Sequence, residues 1–128
     1  LSIFDKKSAY EILSTLVNNY VILSSESYMQ MFYKVIYSER AISSEASKIM
    51  VVETEKMIAA TKQVFKALKD KKLLKFENWE INATSFALTI HSLIDYSLDK
   101  YLSENNKPLI NVKLIDEFIL NFCNEHKC

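Results

Sequence analysis

The chain of 128 residues contains no Gly, one Pro and two Cys, and its 16 basic and 16 acidic side chains give a formal net charge of zero. A domain of this length builds one hydrophobic core. Sheets, tight hairpins and phosphate-binding loops depend on Gly for positive φ. We therefore predict one all-α domain over residues 1–128, and we exclude the Walker and dinucleotide-binding motifs.

The cysteines and the charge pattern narrow the class of protein further. The one basic cluster, between Lys66 and Lys75, is interpreted as a solvated helix end, because lysines favour the negative end of a helix dipole. Cys123 and Cys128 lie five residues apart and would point away from each other on a continuing helix. No C-x-x-C spacing, signal peptide or apolar run of about 18 residues occurs. We predict a reduced, cytoplasmic protein with no membrane span, metal or cofactor.

Five helical segments follow in chain order. The first begins with the capping-box pattern Ser8-x-x-Glu11 and runs to about residue 23. The second, from about 26 to 37, is rich in aromatic residues, and we predict that it is a buried connector. Ser43 or Ser44 caps a long third helix that ends near residue 71, a fourth spans 79–102, and Asn111 caps a fifth that ends near residue 124. This pattern predicts an antiparallel bundle of about five helices.

The fourth segment carries more apolar surface than one core requires. Its apolar residues cover an arc of roughly 140°, whereas a stripe of roughly 100° suffices for one core, and Ile81 and Leu88 fall on the opposite side. The apolar arc of the fifth segment is roughly 180° wide. We predict that these two helices contact something besides their own core, as in an obligate helix-bundle dimer.

The histidines do not fit a known catalytic pattern of helical bundles. A di-iron bundle needs Glu-x-x-His on two helices, but Leu88 and Cys123 stand three residues before His91 and His126. The glycines of a nucleophile elbow are missing as well. We predict that the chain is not an enzyme.

Several large side chains suit either a core or a small-molecule cavity. His91 is either a hydrogen-bonded, partly buried His or a polar anchor in an apolar pocket. Glu53 is a satisfied buried acid, a cation-recognising group or, as favoured here, an edge residue. Methionine suits adaptable pockets because its side chain is flexible and polarisable. These residues are either ordinary core or the lining of an adaptable apolar cavity between the first four helices. The set consists of Tyr20, Tyr28, Met29, Met31, Phe32, Met50, Met57 and Phe86.

The order of these segments resembles the C-terminal domain of TetR-family transcriptional regulators. The resemblance is carried by AYEILSTLVNNYVILSSESYMQMFYKVIYSE for the first two helices, by ASKIMVVETEKMIAATKQVFKALKDKKLLKFENWEINATSFALTIHSLIDYSLDKYL for the next two, and by LINVKLIDEFILNFC for the last. It covers about residues 5–123. Members of the family often carry a Gly before the fourth of these helices, where this chain has Lys71-Lys72-Leu73-Leu74.

The resemblance implies a TetR-like repressor whose DNA-binding helix-turn-helix domain lies upstream of this sequence, with residues 1–7 as the remnant of the connecting helix. A small apolar ligand would bind among the first four helices, with Phe86, Ile90 and His91 facing it, and would shift the spacing of the DNA-reading heads. The last two helices would form a four-helix bundle with a second copy. The residues implied at that homodimer interface are Ile94, Leu98, Tyr101, Ile115, Phe118, Ile119 and Phe122.

The same wide apolar faces also suit a stand-alone helical adaptor, which would hold the amphipathic helix of a partner in a groove. The regulator hypothesis predicts a symmetric homodimer with a closed internal cavity. The adaptor hypothesis predicts a monomer with an exposed apolar groove.

Overall fold

The structure, a computed structural model, describes residues 7–24, 27–105 and 110–128. These residues form five helices, α1 (Ala9–Ser24), α2 (Ser27–Glu39), α3 (Ser44–Asp70), α4 (Trp79–Asn105) and α5 (Val112–Glu125). Within the described ranges there is no strand beyond one isolated antiparallel bridge, between Leu74 and Lys127. The predicted all-α bundle of five helices is confirmed.

Side-chain caps begin the helices where the sequence predicts them. At α1, Ser8 Oγ accepts a hydrogen bond from the Glu11 backbone N–H at 3.2 Å, and Glu11 Oε1 accepts one from the Ser8 N–H at 3.1 Å. Ser43, Asn78 and Asn111 each accept from the backbone N–H three residues further on, at 3.3, 3.2 and 3.1 Å. These bonds satisfy backbone donors that have no partner inside the helix.

The turn between α3 and α4 places a lysine in the left-handed region. Lys72 has a φ of 59°, the conformation that Gly adopts most easily at the end of a helix. Around it, the Leu73 N–H donates to the Leu68 carbonyl at 2.9 Å, which satisfies one of the last carbonyls of α3. A side chain other than Gly costs roughly 1 kcal/mol in this conformation. The turn is therefore formed without the Gly often found there in TetR-family domains.

One main core lies between α1, α3, α4 and α5. Its centre is Phe65 of α3, whose ring stacks on Phe76 with centroids 4.9 Å apart and lies 5.3 Å from the ring of Phe86 and 5.6 Å from that of Phe122. The most deeply buried apolar side chains of this core come from all four helices: Leu13, Phe65, Leu68, Phe86, Ile90, Ile115 and Ile119. The helices α3 and α4 form its most extensive pairing.

The helix α2 lies outside this main core. It packs on α3 and more weakly on α1, through a small separate cluster in which Ile36 contacts Ala46 and Met50. Phe32 is 43% exposed and Val35 56% exposed. The prediction of a buried second helix is therefore wrong for Phe32 and Val35, whereas Ile36 of the same helix is buried. An aromatic-rich composition does not by itself bring every side chain of a helix into the core.

The two ends of the described chain are tied to the bundle. The Tyr10 hydroxyl donates a hydrogen bond to Asp116 and so joins α1 to α5. After α5, the His126 carbonyl accepts from the Lys75 N–H at 2.7 Å. Cys123 and Cys128 are both free thiols. No helix in the described ranges combines the length and apolarity that crossing a membrane would require.

Candidate functional site

A cavity of about 610 Å³ lies between α2, the end of α1, the first half of α3 and the second half of α4. This volume is within the usual range for a site that binds a small organic molecule. The cavity is partly open to solvent, and exposed side chains such as Arg40 and Asp99 stand at its edge. Most of the surface of its wall is apolar, and the apolar and aromatic side chains that line it include Tyr20, Leu23, Met50, Met57, Ile94 and Leu98.

A polar cluster joins α2 to α4 at one side of the cavity. The Tyr37 hydroxyl lies 3.2 Å from His91 Nε2 and donates toward both Asp95 oxygens, at 3.4 Å to Oδ1 and 3.2 Å to Oδ2. His91 Nε2 is 3.4 Å from Asp95 Oδ2, one helical turn away on α4. Burial raises the pKa of the Asp95 carboxyl, an effect that His91, Tyr37 and the positive charge of Arg40 oppose and that Asp99 reinforces. We call Tyr37, His91 and Asp95 the polar cluster.

A second hydroxyl in the wall is held by the backbone. Tyr20 Oη donates to the Met57 carbonyl at 3.2 Å, and burial raises the pKa of this phenol. The same carbonyl accepts from the buried Thr61 hydroxyl at 2.8 Å. Together these bonds tie the end of α1 to the middle of α3 and fix the aromatic ring at the cavity wall.

Charged side chains surround the opening of the cavity. Glu53 Oε1 pairs with Lys56 Nζ at 3.5 Å, and Glu53 is 37% exposed, in agreement with the favoured edge position. The Arg40 guanidinium lies 4.9 Å above the centre of the Tyr37 ring, an attractive cation–π contact. Asp99 also lines the opening. The wall is therefore apolar at its centre and carries both signs of charge at its rim.

Four of the residues predicted to bind a ligand line this cavity: Tyr20, Met50, Met57 and His91. His91 has both properties considered for it, since it is partly buried, hydrogen-bonded and on the cavity wall.

Three other predicted ligand residues, Phe32, Phe86 and Ile90, lie elsewhere. Phe86 and Ile90 are each 1% exposed and belong to the main core, because the first half of α4 turns its buried face toward α3 and α5. Phe32 is not part of the wall. The side chain of Tyr28 is outside the part that the structure describes.

Three of the residues predicted at a dimer interface are buried inside their own chain. Ile94, Ile115 and Ile119 are 5%, 2% and 2% exposed and belong to the main core. The wide apolar arc of α5 is explained by its position against α1 and α4 of the same chain.

The other residues predicted at the dimer interface lie in different parts of the structure. Phe118 and Phe122 are partly buried, and their rings lie 5.5 and 5.0 Å from that of Phe86. Leu98 lines the cavity. The side chain of Tyr101 falls outside the described part of the chain. The dimer and its interface stay a prediction.

Sequence reasoning missed Tyr37, Asp95 and Ile94 as cavity residues. One signal was present for Asp95, since residues four apart on a helix lie on the same face and His91 precedes it by four. Nothing local indicates Tyr37, which is 54 residues before His91 and reaches it only through the tertiary fold.

The described residues contain no group of three His, Cys, Asp or Glu side chains placed to hold a metal ion. The described side chains of the wall offer apolar contact, hydrogen bonding and charge. No protein-family model matches the chain, and neither a curated protein nor a solved structure matches it.

Proposed function

We propose that this chain is a small-molecule-binding domain whose ligand occupies the cavity beneath α2. The observation that carries the proposal is a space of about 610 Å³ with an apolar wall and one polar cluster, formed by Tyr37, His91 and Asp95. Binding sites for organic molecules have this composition, in which apolar contacts supply affinity and a few polar groups fix orientation.

We further propose that the domain senses an effector for a TetR-like transcriptional regulator in the cytoplasm, which contacts DNA through a helix-turn-helix domain. The order of the five helices and the position of the cavity among the first four support this role. Ligand binding would favour one of two arrangements of the helices and so change the spacing of two DNA-reading heads.

Such a regulator acts as a homodimer, and an exposed stripe on α4 supports one. Ile81, Leu88 and Tyr96 are 63%, 42% and 55% exposed and share the helix face opposite the core. A second copy that covered this stripe would leave the buried face of α5 undisturbed.

Filling the cavity tests the binding proposal. The probe is the neutral fluorophore N-phenyl-1-naphthylamine, and Met57→Trp on the cavity wall is compared with Val51→Trp on the exposed side of α3. We expect saturable binding to wild type and to Val51→Trp, and at least about tenfold weaker binding to Met57→Trp. Unchanged affinity in a folded Met57→Trp variant, verified by circular dichroism, would contradict the proposal.

Sedimentation tests the dimer. We expect a dimer at micromolar concentration that dissociates in Leu88→Glu, because an uncompensated charge in an apolar interface is costly, whereas Val51→Glu stays dimeric. A monomeric wild type would favour the adaptor hypothesis instead.

A further inference from the structure

The hydroxyl groups on the cavity wall already donate within the chain. Tyr20 donates to the Met57 carbonyl and Tyr37 donates to Asp95, each at 3.2 Å. A ligand that offered only acceptors would compete with these bonds, and a hydroxyl that loses its buried partner loses free energy. The two aromatic residues therefore present rings to a ligand rather than free donors.

The Asp95 carboxylate, in contrast, keeps acceptor capacity on the cavity wall. An ionised carboxylate has about four lone-pair positions, and its partners are the Tyr37 hydroxyl and His91 Nε2. Among the described residues, no Lys or Arg forms an ion pair with it. Burial raises the pKa of this carboxyl, and His91, the Tyr37 hydroxyl and the charge of Arg40 offset that rise only in part.

Two of the three carboxylates of the wall, Asp95 and Glu53, are less exposed than its Lys and Arg side chains, whereas Asp99 is exposed like them. Asp95 and Glu53 are half-buried, with side chains 38% and 37% exposed. Asp99 follows Asp95 by one helical turn and lines the same wall. The basic residues of the wall are all exposed at the rim: Lys34, Arg40 and Lys56.

We propose that the cavity takes a protonated amine carried on an apolar chain or ring, with the ammonium group donating to Asp95 and the apolar part lying along Met57, Ile94 and Leu98. The ammonium would give Asp95 an ion-pair partner, which no Lys or Arg among the described residues supplies, although Arg40 already attracts this carboxylate from further away. This inference rests on the proposed binding function and specifies the chemical class of the ligand.

Three eight-carbon compounds test the inference, namely octylamine as the cation, octanoate as the anion and 1-octanol as the neutral compound. Each is titrated, below its aggregation limit at pH 7, against protein that carries bound N-phenyl-1-naphthylamine. We expect octylamine to displace the fluorophore at concentrations at least about tenfold lower than either of the others, because a charge-assisted hydrogen bond is added to the same apolar contact.

Two variants locate the effect. Asp95→Asn should lose the tenfold preference for octylamine and keep its affinity for 1-octanol. Glu80→Gln, which removes an exposed carboxylate in the first turn of α4, should keep the preference. A salt series on wild type needs no variant to fold, and octylamine binding should weaken with added NaCl while octanol binding does not.

The outcomes distinguish failure of the amine inference from failure of the proposed binding function. Equal displacement by all three compounds, or stronger displacement by octanoate, overturns the amine and leaves a general binding cavity. A preference for octylamine that persists in Asp95→Asn overturns the role of this carboxylate. If N-phenyl-1-naphthylamine itself does not bind, the proposed function fails.

Discussion

The Tyr37 hydroxyl is the main polar link between α2 and α4, and its removal is the sharpest test of how α2 is held. Tyr37→Phe deletes one oxygen atom and leaves the ring beneath Arg40 in place. The variant therefore removes the hydrogen bonds to His91 and Asp95 without changing the apolar packing of α2 on α3.

The expected loss is about 1 kcal/mol. A hydrogen bond to a charged group contributes roughly 1.5–3 kcal/mol when its loss leaves a buried partner unsatisfied. The side chains of His91 and Asp95 are 34% and 38% exposed. Water can therefore replace part of the lost hydrogen bonding, and the expected loss of stability falls below about 1.5 kcal/mol, the lower end of the roughly 1.5–3 kcal/mol range.

Native-state hydrogen exchange measures this loss where it occurs. A change of about 1 kcal/mol in the opening free energy corresponds to roughly fivefold faster exchange. We expect this acceleration in the amides of α2, while amides near Phe65 in the main core keep their rates. Tyr20→Phe is the matched control, because its hydroxyl binds a carbonyl that Thr61 also satisfies and makes no bond to α4.

Unchanged exchange in α2 would refute the view that the polar cluster holds this helix. Equally faster hydrogen exchange throughout α3 and α4 would also refute this view, because α2 would then open only together with the main core.

Three further predictions concern the core, the thiols and the pH dependence of stability. Phe65→Ala should lower the free energy of unfolding in urea by about 3–5 kcal/mol, because it empties the centre of the core. Phe32 is exposed, so Phe32→Ala should lower it by less than about 1 kcal/mol. Similar losses in the two variants would contradict this account of the core. Burial raises the pKa of the Cys123 thiol from 9.0 to about 11, which lowers its thiolate fraction at pH 8 roughly a hundredfold relative to an unshifted thiol. A disulfide reagent at pH 8 should therefore label exposed Cys128 first and Cys123 only slowly until urea exposes it. Equal labelling rates in the native protein would be inconsistent with this expectation. Because the pKa of Asp95 is raised, the folded state holds this proton more tightly than the unfolded state. The free energy of unfolding of wild type should therefore fall relative to that of Asp95→Asn as the pH rises from the ordinary pKa of 3.8 through the raised pKa. Parallel curves of unfolding free energy against pH for the two proteins would argue against burial as the cause.

The helix boundaries were predictable because their signals act over three residues. The reciprocal bonds of Ser8 and Glu11 and the caps at Ser43 and Asn111 depend on backbone atoms next to each side chain. The absence of Gly excluded sheets for an equally local reason. Fold class and helix limits therefore follow from the sequence with little reference to the tertiary structure.

The assignment of each apolar face required the tertiary structure. Phe86 and Ile94 lie on the same arc of α4, yet one is central to the aromatic core and the other also reaches the cavity wall. The periodicity of apolar residues defines this arc, but it does not show which helix or cavity each turn of α4 packs against. Tyr37 could not be placed because its partners lie on a helix more than 50 residues away.

The hydrogen bond between Tyr10 and Asp116 has a consequence for folding kinetics. It joins residues 106 positions apart, whereas the pairing of α3 with α4 spans one short turn. Long-range contacts form only after the chain entropy of closing a large loop has been lost. We expect α3 and α4 to pair early and α1 to dock on α5 late, so that changes at Tyr10 mainly accelerate unfolding. The contact between α1 and α5 would then determine how long the folded chain survives more than how fast it forms.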